Sequence, residues 1–280
     1  MLKALSRAGL GNVGPMETYV RKAGEYGFQG VEAGDLAGWL AQAGETQAAT
    51  LLAETGVAIC SFGLPVEWRH DEAQFRAGLP RLAAEAEAAA RLGCTRCCTY
   101  VLPSTDYPPA AFTVTATRRL RACAAYLRPY GIRLALEFVG PHHLRTRWKH
   151  PFLLEMSEML EWADAIGEPN VGLLLDAYHW YTTGGTVQDL LALDASRIVH
   201  VHLNDAPPVP VGEALDNGRL YPGEGVIDLK GFLGALQTIG YDGYVAQEIL
   251  TVEPPSESSE ALLARSAEAF RRVYEEAGIR

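Results

Sequence analysis

The chain has 280 residues, 48% of them hydrophobic and 21% charged, a balance that fits one large soluble core and shows no sign of disorder. Its 24 Lys plus Arg against 34 Asp plus Glu give a net charge of −10, which argues against a broad nucleic-acid footprint because phosphate binding needs an electropositive face. Five cysteines, an odd number in a chain that needs no staples, point to a reducing compartment, and no run reaches the roughly 18 apolar residues of a membrane helix.

Lys3 and Arg7 are not followed by the apolar stretch of a signal peptide, so a cytoplasmic location is expected. Residues 2–10 read as a weak first strand that runs into the Gly9, Gly11 and Gly14 cluster. After Pro15, residues 16–26 read as a helix with Tyr19, Val20 and Ala23 on one side, and Phe28 to Glu32 as a second strand ending at an acid. Glu32 is placed at the rim as a substrate contact. An amphipathic region from Trp39 through Ala53 leads to a third strand, Val57 to Phe62, and then to a loop carrying Trp68, Arg69 and His70. An aromatic wall with His70 as a polar donor suits a lid over a pocket.

A helix follows over residues 72–92, then a fourth strand over 95–102, in which Cys94, Cys97 and Cys98 are read as structural because no second pair and no following His completes a zinc pattern. The spacing gives a helix over residues 114–130, a fifth strand from Ile132 to Phe138, and a polar loop from Val139 to Arg145. A helix with Met159 and Trp162 on its buried stripe precedes the sixth strand within residues 170–176, and Trp180 to Gly185 reads as a mouth loop. Ile198 to Leu203 forms the seventh strand, Asn204 to Asp228 a long polar loop, Leu229 to Ile239 a helix, Tyr244 to Ile249 the eighth strand, and a last helix reaches Ala277. Eight strand–helix units with no linker predict a single (β/α)8 TIM barrel over residues 1–280.

Four of the apolar runs end in Glu137, Asp176, His202 and Glu248, and strands buried on both faces end this way when they deliver polar groups to one mouth. Three carboxylates and one imidazole make a hard site for a single divalent cation, suited to Mn²⁺, Mg²⁺ or Co²⁺, with Zn²⁺ possible. His200 shares the face of His202 but lies too deep to be a mouth ligand, so it is read as a packed or supporting residue. Glu137 and Glu248 form a pair able to take and return a proton next to a carbonyl, the chemistry of sugar isomerisation or epimerisation.

The segments from Pro129 to Gly140, Asn170 to His179, His200 to Asp205 and Asp216 to Gly225, with Glu248, resemble the xylose-isomerase-like (sugar phosphate isomerase/epimerase) superfamily, and among its members the bacterial 2-keto-myo-inositol isomerases. The resemblance implies Glu137, Asp176, His202 and Glu248 as metal ligands, and His179 and Arg219 as substrate contacts. It implies a small sugar or inosose as substrate, with conversion of 2-keto-myo-inositol to 1-keto-D-chiro-inositol as the reaction. A ketose 3-epimerase acting on a free sugar, or an inosose dehydratase, is the alternative. No nucleic-acid or membrane partner is expected, and a homo-oligomer is left open.

Overall fold

In the computed structural model, which describes residues 1–279, the first strand β1 covers only Leu2–Leu5. Gly9, Gly11 and Gly14 all have positive φ, so the backbone turns out of the strand before Leu10. α1 (Met16–Glu25) buries Tyr19, Val20 and Ala23, as their spacing predicts, and leads to β2 (Gly30–Ala33). The amphipathic region beyond it is two helices, α2 (Leu36–Ala43) and α3 (Glu45–Thr55), broken at Gly44 where φ is 83°. β3 (Ala58–Gly63), α4 (Glu72–Arg91) and β4 (Arg96–Val101) follow.

Two short strands were not legible in the sequence. β5 (Ser104–Thr105) pairs antiparallel with β7 (His150–Pro151), tying the loop after β4 to the loop after β6 (Arg133–Phe138). Between them lie α5 (Pro109–Leu127), which starts five residues earlier than its apolar spacing suggests because Pro109 sits at its first position, and the single turn α6 (His142–Arg145). α7 (Met156–Ile166) precedes β8 (Val171–Asp176).

Of the mouth loop read over Trp180 to Gly185, the first three residues belong instead to a helix, α8 (Ala177–Thr182), which the Asp176 carboxylate caps. The chain ends with α9 (Val187–Leu191), β9 (Ile198–Leu203), α10 (Leu229–Thr238), β10 (Tyr244–Gln247) and α11 (Ser259–Glu276).

β1, β2, β3, β4, β6, β8, β9 and β10 close into one parallel barrel in that order, with β10 pairing back onto β1. The main core lies between barrel and helices, and outward residues such as Leu5, Val31, Val201 and Leu203 fill it. Inside the barrel small residues dominate: Ala4, Cys60 and Ala246 pack on one side, Ala135, Leu174 and Val199 on the other. Two register shifts shape this interior, one between Val31 and Glu32 opposite β3, the other between Leu173 and Leu174 opposite β9. The second leaves Val199 as an extra residue packed inward, after which His200 and His202 face the interior while Val201 and Leu203 face the helices.

Candidate active site

Glu137, Asp176, His202 and Glu248 come from the ends of four consecutive barrel strands, β6, β8, β9 and β10. One donor atom from each lies within 4.8 Å of all the others. His202 is at the centre: its Nδ1 lies 3.3 Å from Glu137 Oε1, 3.3 Å from Glu248 Oε2 and 3.7 Å from Asp176 Oδ2. Asp176 is fully buried, and its two oxygens divide the work. Oδ1 accepts the Tyr178 and His179 backbone N–H groups at 2.7 and 3.1 Å, while Oδ2 accepts from Asn204 Nδ2 at 2.9 Å and Arg219 Nη1 at 3.0 Å.

Glu32 is not the rim contact that its strand-end position suggests. It points into the barrel, where Oε1 accepts from His200 Nε2 at 2.7 Å, His202 Nε2 at 3.0 Å and Ser61 Oγ at 3.1 Å. His202 therefore turns Nε2 to Glu32 and presents Nδ1 to the three carboxylates. His200 supports Glu32 from below, in keeping with its reading as a supporting residue.

The electrostatics follow from burial and pairing. Burial pushes Glu32 up, but the His202 charge and hydrogen bonds from His200 and His202 outweigh it and hold it well below the usual carboxylate range. Burial also raises Glu248, yet His202 and Arg219 bring it down to about 2. Glu137 stays raised, because its burial exceeds the help it receives from His202. His202 is driven well above an ordinary imidazole: burial opposes its charge, and Glu248, Glu32 and Glu137 more than compensate.

His179, on α8, is nearly fully buried. Its Nδ1 accepts the Gly140 N–H at 3.3 Å, which puts the ring proton on Nε2, the atom that faces Glu137 Oε1 at 3.9 Å. A β-carbon at Gly140 would collide with Thr182 and His179, so only glycine lets this loop reach the helix. Arg219 reaches in from the long loop after β9, giving Nη1 to Glu248 Oε2 at 2.7 Å and Nη2 to Asp216 Oδ1 at 2.8 Å. Its Nη2 also lies 3.3 Å from His179 Nε2. Two donors thus lie side by side, an arrangement that an acceptor oxygen within reach of both satisfies.

Sequence reasoning missed three residues here. Asn204 bridges Asp176 and the Glu248 carbonyl, Asp216 orients Arg219, and Asp205 accepts the backbone N–H groups of Ala206, Gly223, Gly225 and Ile227. The only available signal was the position of Asn204 and Asp205 just past the His202 strand end. His70 stands apart: it is exposed, and lines a cavity with Trp68, Arg69 and Tyr100 rather than joining the four-residue cluster.

The donor set fits a divalent cation. Four acids, the buried Glu137 and Asp176 and the half-buried Glu32 and Glu248, share Arg219, His200 and His202, leaving negative charge that a cation would neutralise with oxygen ligands and one nitrogen. Fold and cluster together define a (β/α)8 barrel with a carboxylate–imidazole cation cradle at the carboxyl ends of its strands. The sequence profile described as xylose isomerase-like TIM barrel matches residues 20–273, and the chain belongs to that family.

Over 128 residues the chain is 35% identical to an inosose isomerase of Halalkalibacterium halodurans, a match spanning 45% of this chain and 42% of that protein, so less than half of the curated relative is covered. A xylose isomerase domain protein from Alicyclobacillus acidocaldarius superposes with a TM-score of 0.91 at 33% identity, covering 99% of both chains. The IOLI protein, solved with a zinc atom bound, shares the fold at TM-score 0.84 and 20% identity, again over 99% of both chains. Among the described residues no helix is long and apolar enough to cross a membrane.

Proposed function

We propose that the chain is a divalent-metal-dependent isomerase of a cyclic polyol ketone, converting 2-keto-myo-inositol to 1-keto-D-chiro-inositol. One observation carries the reading: Glu137 and Glu248 flank His202 Nδ1 at 3.3 Å each, while the donors His179 Nε2 and Arg219 Nη2 converge beside them. Glu137, Asp176, His202 and Glu248 would hold the ion, manganese first and magnesium, cobalt or zinc as alternatives; the kinship to inosose isomerases supports the substrate class. Bound there, the cation would supply Lewis-acid stabilisation of negative charge developing on the substrate's carbonyl and neighbouring hydroxyl oxygens.

The protein side chains do the rest. Glu137, whose carboxylate has the higher proton affinity of the pair, removes the C–H proton next to the ketone, giving an enediolate. Arg219 keeps Glu248 ionised and, with His179 Nε2–H, donates to the oxygens that gain charge. Glu137 returns the proton to the former carbonyl carbon while Glu248 takes the proton of the hydroxyl on the neighbouring carbon and passes it to the former carbonyl oxygen, which moves the ketone by one position. Return to the original carbon from the other face would instead epimerise.

Proton NMR of 2-keto-myo-inositol in D₂O with magnesium-loaded protein tests this. Metal-dependent appearance of 1-keto-D-chiro-inositol with deuterium at the exchanged carbon is the expected result. Neither exchange nor product, with metal shown to be bound, would refute it and turn attention to free ketohexoses.

A further inference from the structure

We propose that the mouth carries a second subsite, for a neutral polyhydroxylated ring joined to the reacting one, in the aromatic cavity formed by the loops after β3, β4 and β6. The proposal rests on the reading that a cyclic polyol reacts beside Glu137 and Glu248, and extends it to a substrate of two linked rings.

The cavity is about 220 Å³, roughly the space of seven waters and enough for one six-membered ring with its hydroxyls. None of the four clustered residues lines it. Its walls are mainly rings: Tyr107 and Phe112 stack at 5.7 Å, Phe152 meets Phe112 edge-on at 4.9 Å, and the half-buried Trp148 completes the cavity. The pairing of β5 with β7 holds the two loops that contribute Tyr107, Trp148 and Phe152, and Phe112 stands on α5, so the cavity is built on fixed backbone.

The chemistry of the lining selects the ligand. Arg69 lies 3.6 Å from Glu67, and Asp106 also lines the cavity, so an anion would meet two carboxylates and a cation the guanidinium, whereas hydroxyl groups can pair with both kinds of group. The Arg69 guanidinium is held between the Trp68 ring at 4.4 Å and the Tyr100 ring at 4.0 Å, and its buried Nε has no hydrogen-bond partner among the described residues. Flat apolar faces with a few polar groups at their edge suit the C–H faces and hydroxyl rim of a saturated ring.

Tyr100 connects the two sites. It pairs with Glu137 across the β4–β6 ladder and shares the inward parity of Cys98, which packs inside the barrel. Its side chain is 49% exposed, although it also lines the aromatic cavity. A substituent leaving the reacting ring on the Glu137 side therefore crosses Tyr100 into the cavity.

Titration calorimetry on manganese-loaded protein with myo-inositol and with α-galactosyl-myo-inositol tests the subsite. The two-ring ligand is expected to bind about tenfold tighter, equivalent to one or two ring-stacking contacts, and Trp148→Ala or Tyr107→Ala should reduce that ratio below about twofold. Tyr107 is 43% exposed, so its truncation leaves the core intact. Equal affinities for the two ligands in the wild type, or an advantage that survives both substitutions, overturns the subsite alone. Failure of both ligands to bind, with manganese confirmed in place, overturns the parent reading too.

Discussion

His202 shows how one side chain can be fixed from two directions. Its Nε2 is held by Glu32 at 3.0 Å, which orients the ring so that Nδ1 meets Glu137, Asp176 and Glu248. A carboxylate behind a ligating imidazole fixes its tautomer and raises its basicity. Glu32→Gln keeps the volume and removes the charge, so metal affinity is expected to fall about tenfold or more with the fold retained; unchanged affinity by titration calorimetry would remove Glu32 from the positioning role. His202→Ala should abolish specific binding altogether in the same measurement. Glu248→Gln is a different case, because it retains a neutral oxygen donor but cannot carry a proton. Turnover should drop by about 10²–10⁴-fold while circular dichroism stays unchanged, and near-normal turnover would refute its acid–base role.

At the scale of elements, the site depends on a loop that has little regular structure. Asn204 to Asp228 brings in Arg219, and Asp205 is what holds that loop down, accepting backbone N–H groups of Gly223, Gly225 and Ile227 at 2.9 to 3.0 Å. Asp205→Ala strands these donors and is expected to cost about 2–4 kcal/mol in urea unfolding, with faster proteolysis between Asp216 and Gly225. A protease-resistant loop in the variant would contradict this account. The same loop marks the limit of what the sequence discloses. Strands ending in Glu137, Asp176 and His202 are legible because a buried apolar run has a fixed period and an abrupt polar end. His179 was legible as a rim residue three positions past Asp176, whereas Arg219 was reachable only through family resemblance. Glu32 pairing with His200 and His202 depends on barrel closure and a register shift, and the β5–β7 pair on contacts some 45 residues apart, neither of which has a local signature.

For the molecule as a whole, the site stores negative charge that the metal-free protein balances by holding a proton on His202. Glu248, held at about 2 against roughly 4.3 for an unfolded glutamate, contributes stability that is present above about pH 4.3 and is lost as pH falls toward 2. His202, raised well above roughly 6.5, contributes stability that is complete below about pH 6.5 and is lost as pH rises through its folded value. The Glu248 and His202 contributions are therefore both complete between about pH 4.5 and 6.5. A cation needs the His202 nitrogen without its proton, so binding should release about one proton, visible as a dependence of the calorimetric heat on buffer ionisation enthalpy. Metal affinity must then rise with pH. At a free metal concentration 100 times Kd the added stability is about 2.7 kcal/mol, which for a chain of this size raises Tm by roughly 5 °C. At one fixed manganese concentration the rise in Tm should be larger at pH 8 than at pH 6, and chelator should reverse it at both. A metal-induced shift independent of pH would mean that His202 carries no proton in the metal-free protein, and that the charge balance drawn from its three carboxylate neighbours is wrong.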